Sequence, residues 1–273
     1  MTAGFDPVLP LRPNGSRPPL FCVPPVSGSP YVYRALLPLL DEEQPVYTLE
    51  SPGFDGDEPP LDSVPALAEL FLTALRRCRG EGEVALLGWS MGGVVAYEMA
   101  TRLTALGVAV PLLMVVDAAA PGTHPAPPAG AVARLLARDL AAVNGLPAEP
   151  LERALEAASP DAGADDVLAA VAGSGVLPPD CDQDFLRQRL RPFAAHVRAL
   201  ASYRPAGRYP GTVTLIRAEQ STIDRDSWQR ISTDLDEYLI PADHYTIWRG
   251  DALASLGAAV RHRLDGLRHP HIA

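Results

Sequence analysis

The sequence predicts an α/β fold, with a mostly parallel central sheet flanked by helices and a helical insertion late in the chain. Three observations carry that expectation. Short apolar runs alternate with amphipathic helical patterns from Leu20 to Val116. The alternation stops at Pro121, where a Pro-rich segment through Pro128 excludes strand and helix interiors, and residues 131–203 then read as helical with no convincing strand. Strand-like runs resume at Val213–Arg217 and Glu237–Ile240.

Residues 1–19 hold Pro7, Pro10, Pro13, Pro18, Pro19 and Gly15 without a sustained period, which predicts an extended arm or linker. The core is expected over 20–121 and 206–268. Leu20–Val23 reads as its first strand, followed by a helix near Tyr31–Leu40, a strand at Val46–Leu49 and a helix over Ser63–Arg79, with Ser63 as cap and Pro65 in the first turn. Val84–Leu87 is the next strand. The helix from Met91 shows one stripe of Val95, Met99, Leu103 and Leu106 and ends at Gly107, and Leu112–Val116 is a further strand. Within the insertion, assigned to 122–205, helices are expected near 131–143, 151–158, 165–172 and 184–203. A terminal helix is expected at about 251–267, with a tail over 269–273.

The 273 residues are 47% hydrophobic and 21% charged, with mean hydropathy +0.05, a balance that excludes disorder for most of the chain and fits one large domain with an insertion. The net charge of -10, all cations being Arg and no basic run exceeding Arg76-Arg77, argues against a nucleic-acid grip. Cys22, Cys78 and Cys181 show no CxxC spacing, so neither a disulfide framework nor a zinc site is indicated; no metal is expected, and a reducing cytosol fits best. No export signal or membrane span is expected, because the first ten residues carry no basic group and the apolar run Pro111–Val116 is far short of roughly 20 residues.

The chemistry-bearing signal is Gly88-Trp89-Ser90-Met91-Gly92, a GxSxG pattern between an apolar strand and an amphipathic helix. A turn sharp enough to lift a serine hydroxyl above a sheet brings backbone segments together, so positions 88 and 92 tolerate almost no side chain. Ser90 is therefore the candidate nucleophile. A serine needs a base, and a carboxylate to orient that base. Of the six histidines, His124, His196, His262, His269 and His271 fall in the Pro-rich segment, the insertion, a helix and the tail. His244 alone lies in a loop after a strand, so it is the candidate base. Asp117, the lone charge directly after Leu112–Val116, is the candidate acid; Asp224 and Asp243 compete with it. The oxyanion donors expected are the N–H of Met91 and that of Val26, in the rigid loop opened by Pro24 and Pro25.

With these residues in place, the chain resembles type I thioesterase domains that end nonribosomal peptide synthetase and related hybrid polyketide assembly lines, members of the α/β-hydrolase fold. The resemblance spans about Leu11 to Leu264 and rests on Leu11–Val23, Pro45-Val46-Tyr47, Leu87–Gly93, Val116-Asp117 and His244. Tryptophan before the serine is the peptide-synthetase form; the departure is Pro24-Pro25-Val26 where many members have His-Pro and a Gly pair. The resemblance implies release of an acyl or peptidyl chain from the phosphopantetheine thioester of a carrier protein, by hydrolysis or macrocyclisation, with that arm delivering substrate and no cofactor bound. A type II editing thioesterase, a general serine esterase of the same fold and a non-catalytic binding protein are the rival readings. In the insertion, Leu135, Leu136, Leu140, Val167, Leu168, Val171, Leu186, Leu190, Phe193 and Val197 suit either an acyl-binding face or helices packed on one another. Arg187, Arg189, Arg191 and Arg198 suit either a carrier-protein contact or solvated helix charge.

Overall fold

The computed structural model describes residues 5–56, 58–79, 83–122 and 127–267. Seven strands form one sheet in the order β1-β3-β2-β4-β5-β6-β7. They are β1 (Val8–Arg12), β2 (Leu20–Val23), β3 (Val46–Leu49), β4 (Ala85–Trp89), β5 (Leu112–Val116), β6 (Tyr209–Ala218) and β7 (Ser232–Ile240). Every pair is parallel except β1 with β3. β2, β4 and β5 are buried at every position, as strands covered on both faces must be.

Alternate residues of these strands feed two cores. Phe21, Leu86 and Leu113 point to the face covered by α1 (Val64–Arg79) and α2 (Met91–Ala105), where Phe71, Met99 and Trp228 fill the space. Leu20, Cys22, Leu87 and Met114 point to the other face, under a 3-10 helix at Tyr31–Leu39 and the last helix, α8 (Gly250–Gly266). Between β5 and β6 the chain forms α3 (Ala129–Asn144), α4 (Ala148–Ala157), α5 (Ala164–Gly173) and α6 (Gln183–Ser202), whose apolar faces make a third, separate cluster. These helices fall within the stretch assigned from sequence to a helical insertion and are called the lid helices below. A short helix, α7 (Arg225–Ile231), joins β6 to β7.

The structure departs from the sequence reading at several places. Part of the supposed 1–19 arm is β1, which pairs with β3 from Val8↔Leu49 to Arg12↔Val46. Proline suits it because the strand lies at the sheet edge, where one row of N–H groups has no ladder partner to lose. Arg12 ties it down by donating to the carbonyls of Gln44, Leu37 and Asp41. The first of the expected helices, near Tyr31–Leu40, is a 3-10 helix at Tyr31–Leu39 with Pro38 inside it, and Leu106 is 63% exposed rather than part of the α2 stripe. β6 and β7 are longer than expected. Pro210 and Gly211 sit at a register shift in the first, and the second is a half-exposed edge carrying Asp234 and Asp236. Among the described residues no helix is long and apolar enough to cross a membrane.

Candidate active site

Ser90, Asp117, His244 and the Val26 loop all follow the carboxyl ends of parallel strands, where an open α/β sheet presents its ligands. Ser90 follows β4 and heads α2 with φ 55° and ψ -128°, a conformation L-residues avoid, so the elbow is strained as well as tight. Its glycines are required by contact. A Cβ at Gly88 would lie 2.1 Å from the Gly92 carbonyl oxygen, and one at Gly92 would lie 2.2 Å from that of Val23. Tyr33 locks the adjacent strand ends together: its hydroxyl donates to the Val23 carbonyl and accepts from the Trp89 N–H at 2.9 Å.

Asp117 follows β5 with φ 41° and is 1% exposed. Both of its carboxylate oxygens are committed. Oδ1 accepts the Ala218 N–H at 2.9 Å, and Oδ2 lies 2.6 Å from Nδ1 of His244, in the loop after β7. A carboxylate can only accept, so this contact places the imidazole proton on Nδ1 and leaves Nε2 as the basic nitrogen. The ring is further fixed by Trp89, tilted against it at 5.0 Å, and by Tyr245, edge-on at 5.0 Å. The competing acids have other work. Asp224 caps α7 and binds Ser227 and Arg230, while Asp243 accepts from the N–H groups of Tyr245 and Thr246 and so shapes the His244 loop.

Ser90, Asp117 and His244 all line one cavity of about 880 Å³, together with Met91 at the start of α2. Its wall is mostly apolar, with Val94, Leu146, Leu200 and Ile223 among the lining groups. Leu135 is the one residue of the expected acyl-binding face among these lining groups. Leu136, Val167, Leu168, Val171, Leu186 and Phe193 are buried in the lid's own cluster, against which Leu140, Leu190 and Val197 pack.

A family model for the thioesterase domain matches residues 18–263. The chain belongs to the thioesterase domain family. Similar relatives include a dimodular nonribosomal peptide synthase of Bacillus subtilis, 29% identical over 97% of the chain and 11% of that protein. A non-reducing polyketide synthase of Pseudevernia furfuracea is 33% identical over 80% of the chain and 9% of its own length. The thioesterase domain thus spans a small part of the curated relatives it matches. Among solved structures, a four-domain nonribosomal peptide synthetase bound to AMP and glycine superposes with a TM-score of 0.78 at 26% identity, over 93% of this chain and 20% of that one. The NocB thioesterase domain, in covalent complex with a fluorophosphonate nocardicin G analogue, gives 0.68 at 25% identity over 94% and 99%. A type II thioesterase, BorB, shares the fold at 19% identity, TM-score 0.68, over 97% and 98%.

Two residues next to the candidate site were not singled out from sequence. His196, set aside there as an insertion histidine, is fully buried on α6, and its Nδ1 donates to the Val26 carbonyl at 2.8 Å. It thereby ties the lid to the candidate oxyanion loop, whose other carbonyls are held by Gly28 N–H to Pro25 and Ser51 N–H to Gly28. Burial pushes its imidazole down to about 4, so it is neutral at working pH. Asp139 on α3 is buried too. It accepts from the Tyr245 hydroxyl at 3.2 Å, and burial raises its carboxyl to about 6. Their partners lie 170 and 106 residues away, a separation no local pattern betrays. Of the arginines, Arg187 bonds to Asp165 and Asp184, and Arg189 lies over the Phe54 and Phe185 rings. Arg198 is a weak 3.9 Å partner of Asp62, and Arg191 is exposed. His124, His269 and His271 lie outside the described residues, and His262 is exposed on α8.

Proposed function

We propose that this thioesterase domain releases an acyl or peptidyl chain from the phosphopantetheine thioester of a carrier protein through a Ser90 acyl-enzyme. The observation that carries the reading is the 2.6 Å Asp117–His244 contact opening on the same apolar cavity as the strained Ser90 elbow. His244 Nε2 takes the Ser90 proton as Oγ attacks the thioester carbonyl carbon, and Asp117 stabilises the imidazolium that forms. The N–H groups of Met91 and Val26 receive the developing oxyanion. The carbon–sulfur bond then breaks, and the imidazolium returns its proton to the departing thiolate. Water, or an amine or hydroxyl of the same acyl chain, attacks the ester in turn with His244 again as base. The first route gives an acid and the second a ring. An apolar chamber that limits water and holds the chain favours the internal nucleophile through effective molarity.

The carrier protein and its pantetheine arm belong to this proposal; relatives that are whole peptide and polyketide synthases support it. The test compares kcat/KM for an acyl-pantetheine thioester with that for the p-nitrophenyl ester of the same acyl group, in the parent and in Ser90→Ala. Preference for the pantetheine thioester, lost in Ser90→Ala, is expected. Equal rates on both would favour a general esterase, and a short-acyl preference on loaded carrier protein would favour the editing role.

A further inference from the structure

A second cavity, of about 270 Å³, lies next to the catalytic one and shares two lining residues with it, Tyr245 and Arg249. Its other walls include Pro25 of the candidate oxyanion loop, Trp89, Trp248 and Val143. The two spaces therefore meet across Tyr245 and Arg249, immediately beside the catalytic histidine. Both partition residues are anchored on the same lid helix. The Tyr245 hydroxyl donates to Asp139 in α3, and its ring stands edge-on to Trp89 at 6.0 Å and to His244. The Arg249 guanidinium donates to the Ala142 carbonyl and, at 3.0 Å, to that of Val143, at the C-terminal end of α3 where free carbonyls accumulate.

We propose that Tyr245 is the wall that sets the length of acyl group this site accepts, with the second cavity as reserve volume behind it. This rests on reading the 880 Å³ cavity as the acyl chamber. An acyl chain on Ser90 that fills the first chamber meets the Tyr245 ring; with the ring gone, it gains a space lined by Trp89, Trp248, Val32 and Ala35, apolar enough to hold further methylenes. Arg249 stays on the α3 carbonyls and leaves the floor of that passage in place. Tyr245 thus determines specificity by bulk rather than by touching the reacting atoms.

The test measures two length ratios in the parent, Tyr245→Ala, Tyr245→Leu and Tyr245→Phe. One is kcat/KM for dodecanoyl- over butyryl-pantetheine; the other is the labelling rate by dodecyl over butyl fluorophosphonate, followed by intact mass. Any loss common to all lengths, as expected beside His244, cancels in a ratio. Both ratios are expected to rise at least tenfold in Tyr245→Ala and by an intermediate factor in Tyr245→Leu, and to stay within threefold of the parent in Tyr245→Phe. Ratios within threefold of the parent in folded Tyr245→Ala and Tyr245→Leu would overturn the proposal, and so would a Phe variant that behaves like Ala. Fluorophosphonate labelling needs only an active serine. A parent that labels with a length preference but turns over no thioester therefore sinks the thioesterase reading while the labelling ratio still decides the wall.

Discussion

Replacing Asp117 by Asn is predicted to abolish most activity without unfolding the protein, and the reason lies in its second hydrogen bond. The carboxylate receives the Ala218 N–H on Oδ1 at 2.9 Å and the His244 Nδ1–H on Oδ2 at 2.6 Å. An asparagine amide has one acceptor oxygen, and Asp117 is 1% exposed, so water cannot replace a missing partner. The fixed backbone N–H of Ala218 claims the oxygen, which turns the amide NH2 toward His244. That group donates to Nδ1, and the imidazole must then carry its proton on Nε2, where it cannot accept from Ser90. Losses of roughly 10⁴-fold accompany the wrong tautomer in serine triads, about 5.4 kcal/mol at 1.36 kcal/mol per tenfold. The assay is kcat/KM for an acyl-pantetheine thioester, with Asp224→Asn as the comparison and thermal unfolding as the check on folding. A 10³- to 10⁴-fold loss in Asp117→Asn with Asp224→Asn near parental activity is expected. Activity within tenfold of the parent in Asp117→Asn would refute the assignment of the acid.

Two further predictions concern the lid contacts. His196→Ala removes the donor to the Val26 carbonyl and is expected to lower kcat about 10- to 100-fold with KM little changed, because a misplaced oxyanion donor affects the transition state more than substrate binding; unchanged kcat per folded molecule would refute a positioning role. The raised Asp139 carboxyl makes the native state hold a proton that the unfolded chain releases between about pH 4 and 6, so parental stability falls as pH rises through that window. Asp139→Asn stays neutral, and its stability relative to the parent is expected to grow by about 2 kcal/mol from pH 4 to pH 7 in urea unfolding; a difference independent of pH would show that Asp139 ionises normally.

The nucleophile turn was readable from sequence because sterics dictate it: no residue but glycine survives 2.1 and 2.2 Å from backbone oxygens at positions 88 and 92. The strands β2, β4 and β5 were readable because a sheet covered on both faces requires unbroken apolar runs. Asp117 stood out as a charge that such a run tolerates only with a partner, and the partner is His244. Edges were harder. β1 carries Pro10 and was taken for linker, and the first half of β7 is polar because one side of that strand meets no neighbour. The lid helices were legible and the destination of their apolar faces was not, since the same pattern serves a chamber or a helix bundle; the bundle takes most of it. His196, Asp139 and Tyr245 act across the lid–core boundary, and one-dimensional periodicity holds no signal for such a contact.

The central claim is a covalent intermediate on Ser90, and intact mass spectrometry tests it most directly. The protein is mixed with an acyl-pantetheine thioester, quenched in acid within its first turnovers and mapped by peptide fragmentation. The account predicts a mass increase equal to the acyl group less one hydrogen, located on Ser90, formed far more slowly when His244 is replaced because the attack needs that base, and absent in Ser90→Ala. Thioester turnover with no adduct on Ser90, or an adduct that persists in Ser90→Ala, would contradict it.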